Sequence, residues 1–176
     1  MQLFGDTIEE YLSMIGDWED SLPAPVIEEY EGIKVVRDDL LGGGSKIRFA
    51  DYLIQSQPEI EEWVYGSSPA TGYAQISLSY LCRKYGKKAI VFMAERAMDN
   101  LHDYQLRAIE EGAIMNWVPN GMLSVTEKRA RDYVQESPNN RKLLPIGFDH
   151  PSVIASVTRV ALRCDVRPNE VWTVGS

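Results

Sequence analysis

Cysteine and histidine are scarce in this chain, which has two of each in 176 residues. The sequence contains no Cys-x-x-Cys pair and no cluster of histidines, so it predicts no metal site. Residues 1–6 lack the basic start and apolar core of a signal peptide. We therefore expect Cys82 and Cys164 to be free thiols in a reducing compartment, the cytoplasm.

Long apolar runs and an excess of positive charge are also absent. No stretch approaches the roughly 20 apolar residues of a membrane-spanning helix, which argues against a membrane protein. The formal net charge is −8, with 18 basic and 26 acidic residues, and this balance argues against general nucleic-acid binding. One local basic cluster lies at the end of a predicted helix, where cations complement the helix dipole, and it comprises Arg83, Lys84, Lys87 and Lys88.

The sequence has instead a regular alternation of β-branched runs and amphipathic stretches. It predicts strands at 33–36, 62–66, 88–93, 113–118 and 170–174, with a short extended piece at 143–146. It predicts helices at 73–85, 101–111, 123–136 and 152–162, the first two ending at Gly86 and Gly112. Such spacing is typical of βαβ units, so we expect an α/β fold with a mainly parallel sheet and helices on both faces.

The first 22 residues are acidic and differ in composition from the rest of the chain. Ile8, Tyr11, Leu12 and Ile15 have helical spacing, which predicts a short amphipathic helix. The prolines that follow are typical of an extended link. We therefore divide the chain into an acidic N-terminal segment, 1–22, and an α/β domain, 23–176.

The most distinctive stretch runs from Arg37 to Arg48. Three glycines, 42–44, break the predicted strand at 33–36, and Ser45 after them is a good helix N-cap. Lys46 then begins a stretch of helical spacing that reaches residue 54. The positive end of a helix dipole disfavours an ammonium at Lys46, and a neutral amine is what a Schiff-base nucleophile needs. The alternative is a solvated lysine after a flexible turn.

The same stretch carries a resemblance to a known enzyme family. Arg37-Asp-Asp39, followed by Gly43-Gly-Ser-Lys-Ile-Arg48, resembles the cofactor-lysine segment of the fold type II (tryptophan-synthase-β-like) pyridoxal-phosphate enzymes. The branch that it resembles most is that of aminocyclopropane-carboxylate deaminase and D-cysteine desulfhydrase, in which Asn replaces Ser45. The resemblance implies that Lys46 is the Schiff-base lysine for pyridoxal 5'-phosphate. It also implies a small, cofactor-covering lobe over residues 50–142.

A hydroxyl-rich loop, Gly66-Ser-Ser-Pro-Ala-Thr-Gly72, joins a predicted strand to a predicted helix. Backbone N–H groups at a helix N-terminus, with hydroxyls beside them, suit a carboxylate or a phosphate, although a simple capped turn is the alternative. The loop resembles the Ser-x-x-Asn loop of the family. That resemblance implies substrate-carboxylate binding by Ser67, Ser68, Thr71 and Gly72.

This loop also departs from the family pattern. Ala70 or Thr71 stands where the family has Asn, so the side-chain amide that contacts the pyridoxal ring oxygen is missing. The departure puts ordinary family chemistry in doubt. Tyr73 and Gln75 follow on the next helix, and they either face a ligand or lie on an exposed first turn.

The two histidines are candidates for acid–base roles. His150 lies in a stretch, 144–151, that resembles the family's Pro-x-Gly segment at the return to the large lobe. It could act as an acid or base behind the site, but a residue before Pro151 and a helix is more often a turn or cap histidine. His102 lies near a helix start, and we interpret it as a surface residue.

The end of the chain resembles the strand that leads into the family's Gly-Ser-Gly-Gly-Thr phosphate cradle. Gly175 and Ser176 would begin that cradle, and the sequence stops there. The resemblance covers about residues 23–176, the first half of a typical family member. It therefore implies that this chain alone binds pyridoxal phosphate weakly and turns over amino acids slowly or not at all.

Together these features predict a pyridoxal-phosphate-dependent lyase or deaminase acting on a small amino acid. The alternative is a catalytically impaired homologue or fragment that acts as a binding or partner subunit. Either a homodimer or a complementing chain could complete the site. A Rossmann-type nucleotide binder fits poorly, because Gly42-Gly-Gly44 is not Gly-x-Gly-x-x-Gly.

Overall fold

The computed structural model describes residues 7–119, 122–164 and 166–172. Its centre is a four-stranded sheet in which all paired strands run parallel. The strands are β3 (Glu62–Tyr65), β4 (Lys88–Ala94), β5 (Ile114–Val118) and β6 (Arg141–Leu144). Their order is β5-β4-β3-β6. The predicted α/β fold with a parallel sheet is confirmed.

Helices cover both faces of this sheet. On one face lie α4 (Ala74–Lys84) and α5 (Asp103–Glu110), which contact each other. On the other lies α6 (Leu123–Gln135), which contacts β3, β4 and β6. The two faces bury alternate residues of β3: Trp63 and Tyr65 join one core cluster, and Val64 joins another. The predicted helix ends at Gly86 and Gly112 are confirmed, since both have positive φ after the last turn.

The strand order creates a reversal point between β3 and β6. Along the chain, β4 is added beside β3 and β5 beside β4, so the sheet grows in one direction. The chain then returns, and β6 pairs with the other side of β3. In open parallel sheets, ligands bind outside the carboxyl ends of the strands at such a point. The loop at 66–72 leaves β3 there, and the turn at 146–148 leaves β6 there.

Two sequence predictions about strands need correction. The fourth strand of the sheet is β6, in the region predicted only as a short extended piece, and not the segment at 170–174. Residues 170–172 are outside any strand, and Trp172 is 79% exposed; residues 173–174 lie outside the described part of the chain. The predicted strand at 33–36 exists as β2 (Ile33–Val36), but it pairs antiparallel with β1 (Ile27–Tyr30) in a separate hairpin.

The acidic N-terminal segment packs onto the last helix. It forms α1 (Ile8–Ser13), which contacts α7 (Pro151–Arg163). Ile15 and Trp18 are buried against Ala155 of α7. The Trp18 indole also donates a hydrogen bond to Asp51 Oδ2 at 3.3 Å. The predicted amphipathic helix is thus confirmed, although it is only six residues long.

Candidate functional site

The glycine turn before Lys46 rests on the first two turns of α4. The Ser77 hydroxyl donates to Gly43 O at 2.5 Å, and the Tyr73 hydroxyl donates to Gly42 O at 3.3 Å. A Cβ on Gly43 would lie 2.2 Å from Ile47 Cγ2 and 3.2 Å from the Tyr80 ring. Close approach of the backbone therefore requires glycine at residue 43.

Gly44 is required for a second reason. Its φ of +71° lies in the left-handed region, and a Cβ there would come within 2.8 Å of the Tyr73 ring. Tyr73 therefore serves as the platform for the turn and is half-buried. Of the two alternatives from the sequence, the exposed first turn does not hold for Tyr73, and a role in facing a ligand stays a prediction.

Lys46 is the first residue of α2 (Lys46–Phe49). The predicted nine-residue helix is broken at Ala50, where α3 (Asp51–Gln55) begins. Ser45 precedes the helix as predicted, but its side chain makes no capping hydrogen bond. A four-residue helix carries little of the dipole on which the sequence argument for Lys46 relied.

Lys46 stands out among the lysines because it is half-buried and unpaired. Within the described residues its ammonium has no hydrogen-bond or ion-pair partner. Five other lysines contact a carboxylate, an amide or a carbonyl, and Lys34 is exposed on β2. An amine that is neither fully solvated nor neutralised by a carboxylate is available to react with a carbonyl carbon.

The charged residues around this turn are structural. Arg48 is 1% exposed, and its guanidinium pairs with Asp20 and lies 3.6 Å from Asp38. It also donates to Pro23 O at 3.0 Å, which fixes the N-terminal segment to α2. Burial raises the pKa of Asp38, while the nearby Arg48 lowers it. Of the Arg-Asp-Asp motif, Asp38 thus faces Arg48, whereas Arg37 pairs with Asp39 and with Glu28 of β1.

The hydroxyl-rich loop follows β3 directly. Ser67 and Ser68 are 6% and 4% exposed, while Thr71 is exposed. The fully buried Gln75 braces the loop, because its Nε2 donates to Gly72 O at 2.9 Å and to Ala70 O at 3.2 Å. Gln75 therefore does not lie on an exposed turn, and its side-chain Nε2 is engaged by the loop.

The start of α4 keeps backbone donors free. Tyr73 caps the helix without a side-chain hydrogen bond, and the N–H groups of Tyr73, Ala74 and Gln75 bond to no other described residue. These groups lie at the carboxyl side of the sheet, at the end of the loop that contains Ser67 and Ser68. Free N–H groups with adjacent hydroxyls can hold a carboxylate. The side-chain Oε1 of Gln75 is also buried without a hydrogen-bond partner.

A cavity of about 190 Å³ lies beside this loop. Its walls come from residues 68–70, the end of β4 and the first turn of α6, and it also contacts Arg96 and Gln105. Of the predicted substrate-binding residues, Ser68 lines this cavity, whereas Ser67, Thr71 and Gly72 do not; nor does Lys46. The glycine turn and the 66–72 loop are linked instead through their shared support, the first turns of α4.

The basic cluster and the histidines have structural partners. Lys84 pairs with the buried Asp51 at 2.7 Å, and Arg83 pairs with Glu111. His150 is the N-cap of α7 and accepts the Ser152 N–H, so its interpretation as a cap is confirmed. Burial lowers the pKa of His150. His102 caps α5 in the same way but is half-buried, so its interpretation as a surface residue is only partly correct.

The remaining sequence predictions are tested only in part. Gly175 and Ser176, proposed to begin the phosphate cradle, lie outside the described residues. Within the described residues, no group of three or more His, Cys, Asp or Glu could hold a metal ion, and both cysteines are free. No helix among them is long and apolar enough to cross a membrane.

Comparison with models of protein families gives no match, and comparison with curated proteins gives none either. Among solved structures, the chain is similar to a pyridoxal 5'-phosphate-dependent aspartate racemase, with 16% sequence identity and a TM-score of 0.53. The match covers 73% of this chain but 38% of the racemase chain. A likeness at this identity shows the fold, an α/β architecture with a parallel sheet.

Sequence reasoning missed two residues beside the predicted site. Arg96 follows the carboxyl end of β4, and Gln105 lies on α5 but is buried toward the cavity. The position of Arg96, three residues after a predicted parallel strand, could have indicated it, because such positions face the ligand edge of the sheet. Nothing in the spacing of α5 marks Gln105 as buried.

Proposed function

We propose that this chain binds pyridoxal 5'-phosphate covalently through Lys46 and acts on a small amino acid in lyase or deaminase chemistry. The proposal is based mainly on the environment of the Lys46 amine. This amine is half-buried and unpaired among the described residues, and it follows a glycine turn anchored on the helix that begins after the hydroxyl-rich loop. The racemase of similar fold, which depends on the same cofactor, supports the choice of cofactor.

The described residues fit part of such a cofactor–substrate pair. Lys46 supplies the amine, and Ser67, Ser68 and the free N–H groups of α4 supply donors for a carboxylate. Gly175 and Ser176 are the residues that we propose to contact the phosphate. When bound, pyridoxal phosphate supplies an electron sink for bond cleavage at the α-carbon.

The chain's own residues would divide the work as follows. Lys46 Nζ would hold the cofactor and later accept and return the proton of the substrate α-carbon. Ser67, Ser68 and Thr71, with the free N–H groups at the start of α4, would hold the substrate carboxylate. The predicted contribution of Gly72 would be to the shape of the loop, because its N–H donates to Pro69 O at 2.9 Å. The brace from Gln75 to Ala70 O and Gly72 O would keep the loop rigid.

One observation favours a second function, that of a binding or partner subunit without catalysis. No side-chain amide projects from the 66–72 loop, where Ala70 or Thr71 occupies the Asn position, and the Gln75 amide is occupied by loop carbonyls. Such a protein would still bind a small acid at the loop. A homodimer or a complementing chain would then supply any missing groups.

Titration with pyridoxal phosphate tests the main proposal. We expect a visible absorption band of lysine-bound cofactor in the natural protein and in Lys34→Ala, and no such band in Lys46→Ala. Lys34 is a suitable control because it is exposed on β2 and unpaired among the described residues. An unchanged band in Lys46→Ala would reject the cofactor role. A Lys46-dependent band without conversion of any amino acid would favour the partner-subunit function.

Substitutions in the loop test the carboxylate site separately. We expect Ser68→Ala to weaken binding of a small amino acid such as alanine by about 10- to 150-fold, the value of one hydrogen bond to a charged group. Thr71→Ala should have a smaller effect, because Thr71 is exposed and Ser68 is 4% exposed. Calorimetric titration provides the measurement. Unchanged affinity in both variants would count against the loop as the carboxylate site.

A further inference from the structure

The cavity beside the 66–72 loop lies where a ligand site is expected in a parallel sheet. It opens at the carboxyl ends of β3 and β4, where parallel sheets bind ligands. Lys46 does not line it, so its chemistry can be considered without the cofactor. Its volume of about 190 Å³ equals that of about six water molecules at roughly 30 Å³ each.

The cavity wall carries positive charge. Among the residues that the structure describes, Arg96 is the only ionisable side chain that lines it, and no carboxylate does. The Arg96 guanidinium is exposed at the rim and has no hydrogen bond or ion pair to another described residue. An unpaired guanidinium over a cavity without acidic groups favours an anion, above all a planar carboxylate that can accept two N–H bonds.

The inner wall offers a second donor. Gln105 is 0% exposed, and its Oε1 accepts the His102 N–H at 2.9 Å. Its Nε2 meets only the Met93 sulfur at 3.6 Å. A thioether is a weak acceptor, and a side-chain amide has two donor hydrogens, so this buried group retains donor capacity.

The rest of the wall is mainly apolar. Met93, Ala94 and Leu123 contribute side chains that favour an aliphatic body. Thr126, the other hydroxyl besides Ser68, already donates to Gly66 O at 2.7 Å. The lining therefore combines one cation, one spare amide donor and a hydrophobic surface.

We propose that this cavity binds a short aliphatic carboxylate of about six non-hydrogen atoms, with Arg96 holding the carboxylate and Gln105 donating to it from the inner wall. The apolar residues of β4 and α6 enclose the hydrocarbon part. This site does not involve the amine of Lys46 and does not depend on the proposed cofactor, although it shares Ser68 with the loop proposed to hold the substrate carboxylate.

Titration of the full chain with butanoate, followed by NMR or calorimetry without cofactor, tests this proposal. Arg96→Gln should weaken butanoate binding about two- to fivefold, because Arg96 forms a rim-exposed ion pair with the ligand. Arg129→Gln is the matched control: Arg129 is also an exposed arginine without a partner among the described residues, but it does not line the cavity. The Arg129→Gln and Lys46→Ala variants should both bind butanoate with the affinity of the natural protein.

Two further probes separate charge from shape. Inorganic phosphate carries the charge without the aliphatic body, and 1-butanol carries the body without the charge; each should bind more weakly than butanoate. Gln105→Met keeps the side-chain volume and removes the amide, and in a variant that unfolds like the natural protein it should also weaken butanoate binding. Equal affinity for phosphate or butanol, an Arg96→Gln variant with unchanged affinity, or no butanoate binding would overturn the proposal.

Discussion

At the scale of single residues, burial decides which polar groups support the fold and which are free for chemistry. Arg48 and Lys46 are two positions apart, and the sequence marks both as basic. The structure buries Arg48 with Asp20 and Asp38, whereas Lys46 has no partner among the described residues. The sequence cannot separate these roles, because the partner Asp20 lies 28 residues away along the chain.

Replacement of Arg48 tests this difference in role. Arg48→Met should lower the free energy of unfolding by about 3–5 kcal/mol, because it leaves two carboxylates without their buried partner. Arg37→Met is the control: Arg37 pairs with Asp39 and Glu28 nearer the surface, so its loss should cost about 0–1 kcal/mol. Urea unfolding measures both changes. Equal losses in the two variants would contradict a supporting role for Arg48.

His150 provides a test based on pH. Burial lowers the pKa of its ring in the folded protein, so the unfolded chain binds this proton more tightly. The contribution of His150 to the free energy of unfolding should therefore be complete above its unfolded-state pKa of about 6.5. It should decrease as the pH drops below that value. Lys142 adds to the lowering, and Asp149 opposes it.

Two substitutions separate this titration from the cap. His150→Asn keeps a capping side chain, so it should retain stability at pH 7.5 and lose part of the decline between pH 7.5 and 5.5. His150→Ala should cost about 1 kcal/mol at pH 7.5 through loss of the cap, and less at pH 5.5, where protonation of His150 has already destabilised the natural protein. Urea unfolding at the two pH values decides. An identical decline in the natural protein and in His150→Asn would refute the assignment to His150.

At the scale of elements, local sequence patterns predicted most helices and strands, and tertiary packing determined which partners they pair with. Gly86 and Gly112 end helices as the sequence indicated. Ile33–Val36 is a strand, but its partner is the preceding strand and not the parallel sheet, a choice made by the tight turn between them. The helix after Ser45 is interrupted at Ala50, where α2 meets α3; both short helices pack against α4 and α7, and helix propensity alone does not show the interruption.

The glycine turn offers a test at this scale with a control one residue away. Gly43→Ala should lower the free energy of unfolding by about 1–3 kcal/mol, since its Cβ would overlap Ile47. It should also weaken cofactor binding through displacement of Lys46. A Cβ on Gly42 would meet nothing within 4 Å, so Gly42→Ala should stay within about 0.5 kcal/mol of the natural protein. Similar losses in both variants would show that the turn does not depend on its close approach to α4.

At the scale of the whole molecule, the alternation of strands and helices predicted the parallel α/β sheet, and residue identity predicted the candidate loop and lysine. The strand order did not follow from the sequence, because the pairing of β6 with β3 joins residues about 80 positions apart, such as Glu62 and Arg141. That order places the 66–72 loop at the reversal point of the sheet. The burial of Gln105 and the opening beside Arg96 depend on the same packing and were likewise not predictable.

Lys46 is the residue on which the proposed cofactor binding depends most directly. Incubation of the protein with pyridoxal phosphate, borohydride reduction and peptide mapping by mass spectrometry would locate the lysine that carries the cofactor. We predict the adduct on the peptide that contains Lys46 in the natural protein and in Lys34→Ala, and its loss in Lys46→Ala. Full labelling of another lysine, with Lys46→Ala labelled as strongly as the natural protein, would contradict the account.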